Sequence, residues 1–153
     1  MSYDPDVEYV DGVLVERNAG DERHSNVQSN VIFALRSKYK NIKVYPELRS
    51  RVTQTRYRLP DVCVTLRPAT GQKALSEAAF LAIEILSEDD RMTPVLEKLK
   101  EYAANGTPHI WVIDPRLRQM FTFRANALQE VESNVIATDD PRLELTREEA
   151  FQE

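Results

Sequence analysis

Phe80-Leu81-Ala82-Ile83-Glu84-Ile85-Leu86 is an apolar run with one carboxylate set into it. Its length and composition predict a strand covered on both faces, the pattern of a central strand in an α/β sheet. Glu84 breaks that pattern. Burying an ionised carboxylate is costly unless a positive group or hydrogen-bond donors meet it, and otherwise it takes up a proton. The reading of the chain turns on what meets Glu84.

Two other residues can. Asp61 follows Pro60 and heads the apolar run Val62–Leu66, a second acid at a strand start. Downstream, Thr93–Asn105 is amphipathic: Val95, Leu99, Tyr102 and Ala103 form an apolar stripe, and Glu97, Lys100 and Glu101 point away from it. Lys98 falls beside the stripe, so its stem can stay covered while its ammonium reaches toward a strand end. Two acids and a lysine at one spot suit metal-assisted phosphodiester cleavage. Asp61 and Glu84 would hold a hard divalent cation, Mg²⁺ or Mn²⁺, which keeps several of its waters. Lys98 would orient or help deprotonate the attacking water and steady the charge on phosphorus.

Four segments in order carry a family resemblance: Leu59-Pro60-Asp61-Val62, Ile83-Glu84-Ile85-Leu86-Ser87, Lys98-Leu99-Lys100-Glu101-Tyr102, and Gly106 with Trp111-Val112-Ile113-Asp114-Pro115. From about Glu8 to Phe151 the chain resembles the Uma-two family, restriction-endonuclease-like proteins of bacteria within the PD-(D/E)XK nuclease superfamily. The resemblance implies a mixed α/β fold, a central sheet flanked by helices with antiparallel hairpins at both ends. It also implies DNA as the partner, with a homodimer as one allowed assembly. Leu86 stands two residues after Glu84, where the superfamily signature has lysine. The family carries that lysine on the following helix, the position Lys98 matches. It also has a histidine where His24 stands, which implies a role in orienting a phosphate or a metal-bound water. Read from the residues alone, His24 is a solvated or capping histidine in the first turn of a helix. Glu16 is a weaker candidate of the same kind.

A length of 153 residues suits one domain with a full core, and 42% hydrophobic residues make it an ordinary globular composition. No apolar run approaches the roughly 20 residues of a membrane span. The acidic start, Met1-Ser2-Tyr3-Asp4, carries no expectation of a signal peptide. Cys63 is the only cysteine, so no internal disulfide forms and a reducing, cytoplasmic setting is expected; inside a strand it reads as a small core residue. A net charge of −5 argues against coating nucleic acid over a broad surface, since that affinity comes largely from released counterions. A nuclease needs only local positive charge.

In chain order, Asp11-Gly12 predicts a hairpin between Val7–Tyr9 and Val13–Arg17. Asp21 is placed to cap a helix over Glu22–Tyr39, where Val27, Val31, Ile32, Ala34 and Leu35 recur at helical spacing. Ile42–Leu48 reads as a strand with Ile42, Val44 and Pro46 inward, Pro46 marking an edge or bulge. In the following ribbon, Arg49 and Arg51 share one face and Arg56 and Arg58 one face of its partner, a candidate phosphate-binding arm leading into Asp61. A merely solvated hairpin is the alternative. Leu59–Leu66 is a strand, and Arg67–Ala79 a loop with a short helical turn. Ser87-Glu88-Asp89-Asp90 reads as a turn and an acidic approach to the next helix, with Ser87 able to shape the site. Pro94 suits that helix's first turn, and Asn105-Gly106 its end. Ile110–Ile113 is stopped by Asp114 and pairs with Gln119–Arg124; Leu128–Val131 and Val135–Ala137 continue the meander before a terminal segment near Leu143–Phe151.

Two other functions stay open at this point. One is an inactive nuclease fold that binds nucleic acid or a protein through the Arg49–Arg58 ribbon. The other is a structural ion pair between Glu84 and Lys98 with Asp61 remote from both.

Overall fold

A computed structural model of the chain describes residues 7–16, 21–68 and 75–153. Val7–Val10 (β1) and Val13–Glu16 (β2) form the first hairpin. Its turn, Asp11-Gly12, has positive φ at both residues, as a two-residue turn matching strand twist requires. Helix α1 (Glu22–Lys38) starts where the Asp21 side chain accepts the His24 N–H at 2.9 Å. Then come β3 (Lys43–Pro46), β4 (Ser50–Arg51), β5 (Arg56–Arg58), β6 (Val62–Thr65) and β7 (Leu81–Ile85). Helix α2 (Met92–Ala104) crosses over to β8 (His109–Asp114), which is followed by β9 (Gln119–Arg124), β10 (Ala127–Glu130), β11 (Val135–Ala137), β12 (Glu144–Thr146) and α3 (Arg147–Phe151).

The main sheet has six strands in the order β10-β9-β8-β7-β6-β3. Only β7 and β8, joined through α2, run parallel; every other pair is antiparallel. Phe80–Leu86 is therefore the central strand its composition predicts. Alternation along it divides the core. Leu81, Ile83 and Ile85, with Trp111 and Ile113 of β8 and Val62 and Val64 of β6, pack in one cluster with Val27, Val31, Ala34 and Leu35 of α1. Ala82 joins Ile110, Val112 and Phe123 in a second cluster with Val95, Leu99 and Tyr102 of α2. Glu84, two residues from Ala82, belongs to the α2 side.

Helix α2 ends as predicted. Gly106 adopts φ 103°, the Gly106 N–H donates to the Ala103 carbonyl and the Thr107 N–H to that of Tyr102, both at 3.1 Å. β8 stops at Asp114, whose Oδ1 accepts the amides of Arg116 and Leu117 at 3.0 and 3.2 Å. A second sheet, β2-β1-β5-β4, is built from the two predicted ribbons.

Three expectations change. Val135–Ala137 does not extend the meander: β11 leaves the main sheet and pairs with β12, because Ile136 is buried with Leu143 and Leu145 against the α1 side of the core. Pro46 is exposed rather than inward, consistent with β3 being an edge strand that a missing N–H does not harm. Ala103 is exposed, so the buried stripe of α2 is Val95, Leu99 and Tyr102. The helical turn expected within Arg67–Ala79 falls largely outside the described residues; Leu75 forms a parallel bridge with Ser50. No helix among the described residues is long and apolar enough to cross a membrane.

Cys63 sits on β6 with no solvent exposure, and burial pushes its thiol from 9.0 up to about 12. The native state thus retains a proton that the unfolded chain releases above pH 9. This contribution to stability is full below pH 9 and lost as pH rises toward 12. Urea titrations across that interval should show falling stability, with a flatter decline for Cys63→Ala than for the parent.

Candidate active site

The β6–β7 register brings the two acids together. Val62 pairs with Ile83, and continuing that antiparallel ladder by one residue sets Asp61 opposite Glu84. Directly opposed residues share a sheet face. Asp61 is 1% exposed and Glu84 6%. The Asp61 Oδ2 accepts the Ile85 N–H at 2.7 Å, so the strand carrying Glu84 itself positions the first acid. Its Oδ1 lies 3.2 Å from His24 Nε2, and its main-chain carbonyl accepts from Gln28 Nε2 at 2.9 Å. The first two turns of α1 thereby grip the start of β6.

Glu84 accepts a 2.6 Å hydrogen bond from the Tyr102 hydroxyl. Burial first, then the charges of Glu84 and Glu8, hold the Tyr102 hydroxyl well above its ordinary value of 10.0, so it stays protonated and donates. Lys98, one turn before Tyr102 on α2, lies 3.0 Å from Glu8 Oε1. Glu8 is 1% exposed; it also meets Arg58 at 3.2 Å and accepts the Leu59 N–H at 3.0 Å. The second sheet thus reaches the site through one carboxylate on β1.

His24, Asp61, Glu84 and Lys98 line a single cavity of about 30 Å³, together with Ser87 and Asp90. The four residues expected to be catalytic line it together; Arg49, Arg51, Arg56 and Arg58 do not. His24 is buried, its ring on Asp61 rather than in solvent, and its amide is the group that Asp21 caps. The side chain of Glu16 lies outside those described. The arrangement with Asp61 remote from Glu84 and Lys98 is not the one found.

The residues fit a hard divalent cation. The cavity has room for an occupant the size of a water or small ion. Ser87, which lines it, has an Oγ buried without a hydrogen-bond partner, an unmet polar demand at the site. Among the described residues no group of three or more His, Cys, Asp and Glu side chains could hold a metal. Mg²⁺ needs no such cage, since one or two carboxylates with waters and phosphate oxygens suffice.

The arginine ribbon is built differently from the expectation. β4 and β5 do pair, Ser50 with Arg58 and Arg51 with Tyr57. Arg58, however, is only 4% exposed, with Nε 2.6 Å from Glu101 and a terminal nitrogen on Glu8. Burial opposes its charge, but Glu101 and Glu8 outweigh burial and raise its pKa. Arg56 contacts Asp11 at 2.8 Å, Glu97 at 2.7 Å and also Glu101. Arg49 donates to the Val7 carbonyl at 3.2 Å. Arg56 and Arg58 are therefore the bolt between the second sheet and α2, not an open phosphate-binding arm; Arg51 remains exposed, its Nε on the Thr53 carbonyl.

The family model described as Uma2, putative restriction endonuclease, matches residues 2–152. The chain belongs to this family. A crystal structure of a putative nuclease belonging to DUF820 from Anabaena variabilis is similar in fold, with a TM-score of 0.77 at 22% identity over 96% of this chain and 90% of that one. No curated protein gives a match. The restriction-endonuclease-like mixed sheet that the four segments implied is the fold found.

Sequence reasoning missed Glu8, Tyr102 and Gln28. Helical spacing puts Tyr102 in the apolar stripe, and only its polar tip points to a partner for Glu84. Glu8 was the one acid in Val-Glu-Tyr-Val, a position that alternation alone would turn to solvent. Removing it would leave Arg58 and Lys98 facing each other without the carboxylate between them. Glu8→Ala is expected to lower stability by about 3–5 kcal/mol, and Tyr102→Phe by about 1–3 kcal/mol through the lost bond to a buried acceptor, both read from urea unfolding.

Proposed function

We propose that the protein is a divalent-metal-dependent endonuclease that hydrolyses phosphodiester bonds of DNA in the bacterial cytoplasm. The observation that carries this reading is the convergence of Asp61, Glu84, Lys98 and His24 on one small polar cavity at the start of β6 and the end of β7. Asp61 and Glu84 would hold Mg²⁺ or Mn²⁺, which when bound supplies Lewis-acid charge and an acidified water.

The chain's own groups then have distinct tasks. Ile85 N–H and His24 fix the Asp61 carboxylate in orientation, and Tyr102 does the same for Glu84. Such supporting contacts determine whether a donor set is preorganised. Lys98, held against Glu8 on the cavity wall, places a positive group where charge develops on the phosphate oxygens. Glu8 keeps that ammonium paired, which favours an electrostatic and water-orienting role for Lys98 over proton abstraction. The alternative, an inactive fold binding through the Arg49–Arg58 ribbon, loses support because Arg56 and Arg58 are committed to Asp11, Glu8, Glu97 and Glu101.

Supercoiled and linear DNA, with RNA in parallel, should be incubated with the protein in Mg²⁺ or Mn²⁺ and again in chelator. Cutting is expected only with metal. Asp61→Asn and Glu84→Gln should abolish it while leaving the circular dichroism spectrum intact, and Lys98→Ala should slow it by about 10²–10³-fold. Parent protein that cuts no DNA, or acid variants that cut as well as the parent, would remove the proposal.

A further inference from the structure

Beside the acid cavity lies a second hollow of about 210 Å³, sharing Leu86, Ser87, Asp90 and Val95 with it. Three elements form its walls: the start of α1, the β7–α2 connection and the β8–β9 turn. Each contributes one arginine, Arg23, Arg91 and Arg116 respectively. All three are exposed, and none makes an ion pair or hydrogen bond through its side chain with a described residue. That is the opposite of Arg56 and Arg58, whose charges are used inside the fold.

The hollow also faces an open helix end. The α2 N-cap residue, Arg91, makes no side-chain capping bond, and the first turn of α2 carries no acid. The amides of Met92 and Thr93 therefore have no intrahelical acceptor, and Pro94 contributes no amide at all. Helix amino ends left in this way attract phosphate. The buried, unpartnered Ser87 Oγ stands where the two hollows join and is a donor in search of an acceptor. Four acids line the hollow too, Asp21, Glu88, Asp90 and Asp114, and all but Glu88 are engaged by main-chain amides. Asp21 accepts from His24, Asp90 from Ser87 at 2.7 Å, and Asp114 from Arg116 and Leu117.

We propose that the nucleic-acid backbone leading to the reacting phosphate lies in this hollow, its phosphates on Arg23, Arg91 and Arg116 and on the open end of α2, with Ser87 donating at the neck. The nature of the ligand rests on the nuclease reading; the binding measurement does not. Contacts of this kind read no sequence, so they position a strand without selecting it.

Fluorescence anisotropy of a labelled short DNA duplex, and of an RNA of the same sequence, should be followed over a salt series in chelator, where cleavage is absent. Arg23→Ala, Arg91→Ala and Arg116→Ala are each expected to weaken binding alike on unrelated sequences. Each should flatten the slope of log affinity against log salt by about one, and the triple variant by about two to three. Arg51→Ala, on the ribbon, should leave the slope in place. Groove variants that bind like the parent, loss confined to Arg51→Ala, or a parent that binds neither nucleic acid would each overturn the proposal. Cleavage scored separately in Mg²⁺ or Mn²⁺ keeps the two readings apart. Cutting with arginine-independent binding removes the groove and leaves the nuclease, and arginine-dependent binding without cutting does the reverse.

Discussion

A carboxylate placed inside a central strand must be met by donors or cations, because burial alone would force a proton onto it or destabilise the sheet. Glu84 imposes that constraint here, and much of the surrounding structure answers it. The Tyr102 hydroxyl lies 2.6 Å from it across the α2 interface. The opposing strand brings Asp61 into the same space, itself fixed by the Ile85 amide and by His24. Two acids so close raise the demand for positive charge, and Lys98 comes from the same helix as Tyr102. Helix α2 thus serves as crossover, as cover for one face of the sheet and as the source of two groups that face the acids.

The second sheet follows from the same constraint. Its β1 strand sends Glu8 to Lys98, and its β5 strand sends Arg58 to Glu8 and Glu101. A buried ion cluster of this kind is weak evidence for stability, since apolar groups of similar volume often stabilise as well. What it adds is position. Lys98 is held between its own helix and a strand far away in the chain, which restrains an otherwise flexible stem. The sheet's attachment and the lysine's placement are therefore one feature with two consequences.

Much of this was legible in the sequence, for physical reasons. An apolar run with one acid, a Pro-Asp strand start and a lysine beside a helical stripe each carry a periodicity that fixes direction, and a few elements sufficed to bring them together. What failed were inferences about partners distant in the chain. Arg56 and Arg58 share one face, as strand alternation requires, yet the acids that neutralise them stand on β1, its turn and α2, and helical spacing shows Glu97 and Glu101 only as pointing away from the apolar stripe. Val135–Ala137 was correctly a strand, but alternation does not say which neighbour a strand joins, and Leu143 and Leu145 drew it elsewhere. Without the family resemblance, His24 reads as a solvated or capping residue because its first-turn position is common for both; the packing of α1 on the start of β6 is what sets Asp61 against it.

The proposed hydrolysis depends on Asp61 and Glu84 forming a cation site. Crystals soaked in Mn²⁺ and measured at an anomalous wavelength test it directly. The expected result is a single strong peak in the cavity against both carboxylates, lost in Glu84→Gln. An empty cavity with the acids in the same contacts, or manganese bound only elsewhere on the protein, would contradict it.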